Sequence, residues 1–127
     1  MMNIPQNLVY DTEQHLWFAI EDNVATIGIT DFAQDSLGDI LFVELPDEDD
    51  EFDRGDEFSV VESAKKAQSL EAPFAFKVLE SNEDLDDDPE AINEDAYANW
   101  IIKVQITDDD GVDELVSADA YQEAIAE

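Results

Sequence analysis

The apolar residues of this chain alternate with a period of two, not 3.6, in runs of four to seven cut short by turn signals, which restricts it to a β-rich fold. Trp17 to Ile20 and Val24 to Ile29 read as a hairpin, rich in β-branched residues and turned at Glu21-Asp22-Asn23. Ile40 to Leu45 is the next strand, ended by Pro46, which has no N–H to give to a ladder. Phe58 to Val61 follows through an Arg54-Gly55-Asp56 turn, and Phe74 to Leu79 and Trp100 to Ile106 complete the set. Helical signals are few. Asp31 to Gly38 has an N-cap candidate in Asp31 and a glycine stop. Ser117 to Ala126 opens on a serine cap and spaces Ala118, Tyr121, Ala124 and Ile125 on one face. Many short strands with few helices predict a β-sandwich or small barrel with peripheral helices, the terminal one docked on the sheets.

With 127 residues, the chain has material for one domain, 1–127, and one modest core. Its 44% hydrophobic content and twelve aromatics are too rich for a disordered acidic tail. Five basic residues against thirty-five acids leave a net charge of −30, which repels nucleic acid and anionic membranes and favours basic partner surfaces. Twenty of the acids are aspartate. Adaptation to high salt and a deliberately supercharged surface both produce such a bias. The absence of cysteine excludes a disulfide framework, a thiol nucleophile and a Cys-based zinc site. No stretch approaches eighteen apolar residues, and Met1-Met2-Asn3-Ile4-Pro5 lacks the regions of a signal peptide. The expectation is a cytoplasmic protein with no membrane segment; a mature organellar form, already cleaved, reads the same.

Most chemistry-bearing patterns are missing. The acidic runs Asp47 to Glu51, Asp86 to Asp88 and Asp108 to Asp110 read as solvated loops. In the last, placing Gly111 at the sixth position of a calcium loop puts Ile106 first and Ser117 twelfth, where carboxylates are required. His15, the single histidine, has no cysteine or second histidine to share a metal and no nucleophile elbow to serve, so it reads as a packed or partly exposed side chain. Neither glycine-rich phosphate motif occurs. What remains is Lys65-Lys66, two of the five cations set side by side between strand-like runs. Amines raised on a tight turn can receive a covalent group, pair with nearby acids, or do neither. Pairing with Glu62 and Glu71 is worth at most about 1 kcal/mol.

Around those lysines the chain resembles a known family. Val24 to Asp31, Ala33-Gln34, Leu37 to Ile40, Phe42 to Pro46, Val61 to Lys65, Ala72-Pro73, Asn93 to Tyr97, Trp100 to Lys103 and the Ala118 to Tyr121 helix follow, in order, the pattern of the H protein of the glycine cleavage system. The resemblance runs from about Tyr10 to Tyr121. It implies a mainly β fold, a lipoyl-domain-like barrel-sandwich hybrid of two small sheets with short peripheral helices and a C-terminal helix. It also implies a non-catalytic carrier whose cofactor, lipoic acid, is amide-linked to Lys65, the lysine matching the family's Glu-Ser-Val-Lys-Ala motif. Glu62, Ser63 and Ala64 then form the turn presenting it, and Lys66 falls where the family usually has alanine. Biotin carriers share this fold but favour Met-Lys-Met, unlike Ala64-Lys65-Lys66. The implied partners are the glycine decarboxylase (P protein), the aminomethyltransferase (T protein), dihydrolipoamide dehydrogenase (L protein), and a lipoate ligase or lipoyltransferase. The arm takes an aminomethyl group from the first, yields it to the second and is reoxidised by the third.

The chain departs from that pattern at several places. Leu16, Phe32 and Ser69 stand where the family has a glutamate, a histidine and an aspartate around the cleft that shelters the loaded arm. Their exchange removes groups able to hold an amine. A lipoyl store relaying the group to other enzymes, or an unmodified acidic scaffold keeping the fold, therefore stand as alternatives. The family's Pro-Val-Ser-Gly turn becomes Pro73-Phe74-Ala75-Phe76, and loss of the glycine predicts a rebuilt or strained turn at Phe76.

Overall fold

A computed structural model of the chain describes residues 4–126. In chain order its elements are β1 (Val9–Asp11), β2 (Leu16–Glu21), β3 (Val24–Ile29), α1 (Asp31–Leu37), β4 (Ile40–Glu44), β5 (Glu51–Phe52), β6 (Glu57–Ser63), β7 (Ala67–Glu71) and β8 (Ala75–Ser81). They continue with α2 (Asp84–Asp87), α3 (Ala91–Glu94), β9 (Ile102–Asp108), a 3-10 turn (Val112–Glu114) and α4 (Ala118–Ile125). The strands form a six-stranded sheet in the order β1-β2-β3-β9-β8-β5 and a three-stranded sheet in the order β4-β6-β7. All pairings are antiparallel. This is the expected barrel-sandwich arrangement, with four short helices at its margins.

Alternation along β2 shows how the two-residue period builds it. Leu16 and Phe18 enter the main core between the sheets, while Trp17 points to the opposite face, joining Tyr10, Ala118 and Tyr121 in a second cluster. There α4 docks, with Tyr121 stacked on Tyr10 at 4.8 Å between ring centroids. The predicted serine cap is present, Ser117 Oγ accepting from Ala120 N–H at 3.3 Å. Of the expected apolar face, Ala118 and Tyr121 are buried and Ala124 is exposed.

Two expectations need correction. Helix α1 is capped by Thr30, whose Oγ1 accepts from Ala33 N–H at 3.2 Å, and not by Asp31. Asp31 is the first helical residue, and its carboxylate accepts from Gln34 Nε2 at 2.7 Å. At the second position, Phe76 carries no positive φ and no turn is centred on it. It lies in β8, opposite Phe52 on one side and Ile106 on the other. The step in register between Ala75 and Phe76 absorbs the departure from a regular ladder. A glycine there would leave a hole. Phe76 is fully buried, its ring 5.5 Å from Phe58, 5.7 Å from Phe52 and 5.9 Å from Phe74. Burying such a ring outweighs any loss of backbone freedom.

Candidate functional site: the lysine turn

Strands β6 and β7 form a hairpin in which Val60 faces Ser69, Val61 faces Gln68 and Glu62 faces Ala67. Ser63 closes it. Its N–H donates to the Lys66 carbonyl at 2.8 Å, and its hydroxyl donates to the same oxygen at 3.0 Å. The Ser63 Oγ also accepts from the N–H groups of Lys65 and Lys66, at 3.2 and 3.1 Å. A short side chain thus serves two N–H groups that the ladder leaves over and reinforces the carbonyl that closes the turn. Ala64, Lys65 and Lys66 are exposed at its tip.

The turn is also held from outside. Ala64 N–H donates to the Asp39 carbonyl at 3.2 Å, joining the tip to the segment after α1. That segment is fixed by Asn93 of α3. Its Oδ1 accepts from Ile40 N–H at 2.9 Å, while its Nδ2 donates to the Gly38 carbonyl and to Gln34 Oε1, each at 2.9 Å. Gly38 has φ +83°, a conformation that suits glycine, and presents bare backbone to the Lys65 stem. A Cβ there would lie 3.5 Å from Lys65 Cε and 3.9 Å from Nζ. From the other side, Gln14 pins β7, accepting from Glu71 N–H at 2.6 Å and donating to its carbonyl at 2.8 Å.

The five cations divide into two groups. Arg54 bridges Asp110 and Glu114 at 3.4 and 2.6 Å, Lys77 faces Asp49 at 3.6 Å, and Lys103 Nζ sits 4.8 Å from the Trp100 ring centroid. Asp49 and Asp110 thereby draw two of the acidic runs into ion pairs. Among the described residues neither Lys65 nor Lys66 has a carboxylate within 4.0 Å. Glu62, the predicted presenting acid, is exposed one residue before Ser63 and bonds to neither lysine. The reading of the pair as mere local charge relief therefore has no contact behind it.

The expected cleft positions separate. Leu16 is fully buried in the main core, facing β3 with Ile29 as its partner, so it does not line a surface cleft. Ser69 is exposed on β7. Phe32 packs on His15, ring centroids 4.7 Å apart. His15 Nδ1 lies 2.9 Å from Tyr121 Oη, which lies 2.7 Å from Thr30 Oγ1. Burial lowers the His15 pKa, opposed by Asp11, and pushes Tyr121 up to about 12 against the lowering hydrogen bond from Thr30. One order satisfies every group: Thr30 donates to Tyr121, whose phenol donates to a neutral His15. The sequence points to a turn over Glu62, Ser63, Ala64 and Lys65 but not to the support that Gly38, Asn93 and Gln14 give it. That support runs through the side chains of Asn93 and Gln14 across more than fifty residues, and no local spacing marks it.

The turn can therefore offer a primary amine, exposed and unpaired among the described residues, on a rigid support. Comparison with known proteins gives that geometry a context. The family described as Glycine cleavage H-protein matches residues 8–127. The glycine cleavage system H protein of Staphylococcus epidermidis is 51% identical over 127 residues, covering 99% of this chain and all of the relative, and that of Staphylococcus haemolyticus is 50% identical with the same coverage. The crystal structure of a glycine cleavage system H protein from Mycobacterium marinum superposes with a TM-score of 0.86 at 35% identity, covering 94% of this chain and 97% of that one. Fold, full-length similarity and the lysine hairpin agree, and the chain belongs to the glycine cleavage H-protein family.

Proposed function

We propose that this protein is the lipoyl carrier of a glycine cleavage system, the whole chain 1–127 acting as one carrier domain. In this reading Lys65 bears the lipoyl group, and Glu62, Ser63 and Ala64 form the turn that presents it. One observation carries the assignment to Lys65. Its amine projects from a turn fixed by Ser63 and Asp39, its stem lies along Gly38, and no carboxylate among the described residues holds it. Lys66 shares the exposure, but the three atoms nearest to a Cβ at Gly38 all belong to Lys65. The bare backbone of Gly38 and the solvent-facing amine fit a lysine that is acylated and free to swing.

When bound, the lipoyl group supplies a reducible cyclic disulfide at the end of a long flexible chain. The residues of this chain contribute position. Ser63 keeps the turn from fraying, Asn93 keeps Gly38 and Ile40 in place beside it, and Gln14 anchors the second strand. Bond-making is left to the partner enzymes: the pyridoxal-phosphate-dependent decarboxylase, the folate-dependent aminomethyltransferase and the flavoprotein dehydrogenase, with a ligase or transferase attaching the arm. These are expected in the cytoplasm of a prokaryote.

Co-expression with a lipoate ligase and lipoate, followed by intact-mass measurement, tests the assignment. One lipoyl addition is expected, lost in Lys65→Arg and retained in Lys66→Arg. An unmodified wild type overturns it. The apolar packing of Phe32 on His15, where the family has a histidine, favours a second reading as a lipoyl store for other enzymes. Failure of the lipoylated protein to support glycine-dependent release of carbon dioxide by the decarboxylase would select it.

A further inference from the structure

We infer that Leu41 and Phe42 form the apolar centre of a docking surface for the enzyme that acylates Lys65. This rests on the proposal that Lys65 is acylated. In a chain with thirty-five acids available for its surface, two adjacent large apolar side chains stand exposed on β4, Leu41 at 58% and Phe42 at 47%. The two other large hydrophobic residues exposed among the described ones, Val24 and Leu79, are isolated on the six-stranded sheet. β4 is an edge strand whose one strand neighbour among the described residues is β6. Exposed apolar residues on an open edge invite unwanted pairing unless a partner covers them.

The register says where that partner sits. Phe42 pairs with Glu62, and Glu62 pairs with Ala67, so Phe42, Glu62 and Ala67 form one exposed row across the sheet. That row crosses β6 three residues before Lys65. Leu41 is the extra residue of a bulge between Ile40 and Phe42, so that Leu41 and Phe42 both face outward while Ile40 stays buried in the core. Asp39, Glu44 and Glu62 rim the patch and are exposed. The fitting surface is apolar at its centre and basic at its edge.

Reach selects the acylating enzyme over those that use the finished arm. In the acylation step the neutral Lys65 amine attacks the carbonyl carbon of an acyl adenylate. An amide C–N bond forms, the bond from that carbon to the phosphate oxygen breaks, adenylate leaves with the electron pair, and the amine's proton passes to water. The enzyme must bring that carbon to bonding distance of Nζ and so must cover the turn. β4 lies one strand spacing, about 4.8 Å, from the strand that carries the turn. Enzymes that act on the far end of the arm can sit an arm's length away.

The test is the initial rate of acylation of the purified apoprotein by a lipoate ligase supplied with lipoyl adenylate. Leu41→Ser, Phe42→Ser and the double variant are compared with Val24→Ser as control, folding being checked by thermal melting. The double variant is expected to raise KM about tenfold with kcat within about twofold, as for loss of an apolar contact anchor, and Val24→Ser is expected to match wild type. Should the double variant fail to fold, the single Leu41→Ser carries the test. Unchanged KM, or an equal rise in Val24→Ser, overturns the docking surface. So does a wild-type dimer that the double variant disperses without altering acylation, since the occupant is then a second copy. Absence of any acyl addition at Lys65 in wild type is a different result and removes the carrier reading itself.

Discussion

One hydroxyl closes the turn that raises Lys65. Because Ser63 Oγ serves two N–H groups and one carbonyl, Ser63→Ala leaves Lys65 and Lys66 N–H to water while the Ser63 N–H bond to Lys66 persists. The expected stability loss is about 1 kcal/mol, since the site is open to solvent. The clearer signal is faster amide hydrogen exchange at Lys65 and Lys66 alone, read by nuclear magnetic resonance; unchanged protection would mean that Asp39 fixes the tip unaided. His15 makes a second test. Burial holds its pKa below the ordinary 6.5, so the folded state favours the neutral ring. Above that value both states are neutral and the contribution is complete. As pH falls through it, the unfolded chain takes up a proton that the folded chain resists, and stability is lost until the folded-state value is passed. His15 has φ +62°, which asparagine tolerates, so His15→Asn removes the titration without forcing the backbone. Between roughly pH 8 and pH 5 the wild-type melting temperature should fall further than that of His15→Asn. Equal falls would place the pH dependence elsewhere.

At the scale of elements, the contact between β2 and β3 is set by one missing atom. Trp17 and Gly28 are cross-strand partners, and a Cβ on Gly28 would lie 2.6 Å from the indole Nε1 and 2.7 Å from Cε2. The indole cannot move aside freely, because its N–H donates to the Ala96 carbonyl at 3.1 Å and the ring underlies α4. Gly28→Ala is therefore expected to cost about 1–3 kcal/mol, seen as a lower urea midpoint with unchanged slope. A neutral result would show that the second cluster has slack. The same pairing explains what was legible in the sequence. β2, β3, β4, β6, β8 and β9 each carry at least two buried apolar residues, so their pattern reveals them. β7, Ala67-Gln68-Ser69-Leu70-Glu71, buries Leu70 alone, and β1 and β5 have three and two residues, too few for a period to register. The Ser63-Ala64-Lys65 turn was readable because the Ser63 bonds that close it are local. The bond by which Asn93 holds Gly38 beside it was not, because an amide bonding 55 residues away leaves no mark in spacing. Phe76 misled for the opposite reason: a family turn pattern was transferred to a place where an aromatic ring fills the core instead.

For the molecule as a whole, a largely apolar interior, with Thr30 and Ser59 its buried polar side chains among the described residues, is set against a predominantly acidic surface. Twenty-two buried residues form the main core, and among the described residues no buried side-chain nitrogen or oxygen lacks a hydrogen-bond partner, so the inside contributes no electrostatic weakness. The outside does. A net charge of −30 repels itself over distances that about 0.1 M salt screens to roughly 10 Å and 1 M salt to roughly 3 Å. Salt also weakens ion pairs, but those of Arg54 and Lys77 are solvent-exposed and contribute little. Relief of repulsion therefore wins, and the melting temperature should rise with sodium chloride, by on the order of 10 °C between about 0.05 and 1 M. Association follows the opposite sign. A basic partner surface is drawn to the same acids, so the KM for acylation should climb over the same salt range while the fold grows firmer. Calorimetry and acylation rates on one salt series check both. Opposed slopes assign the charge to both fold and partner; parallel slopes would mean that docking is governed by Leu41 and Phe42 and owes nothing to the acids around them.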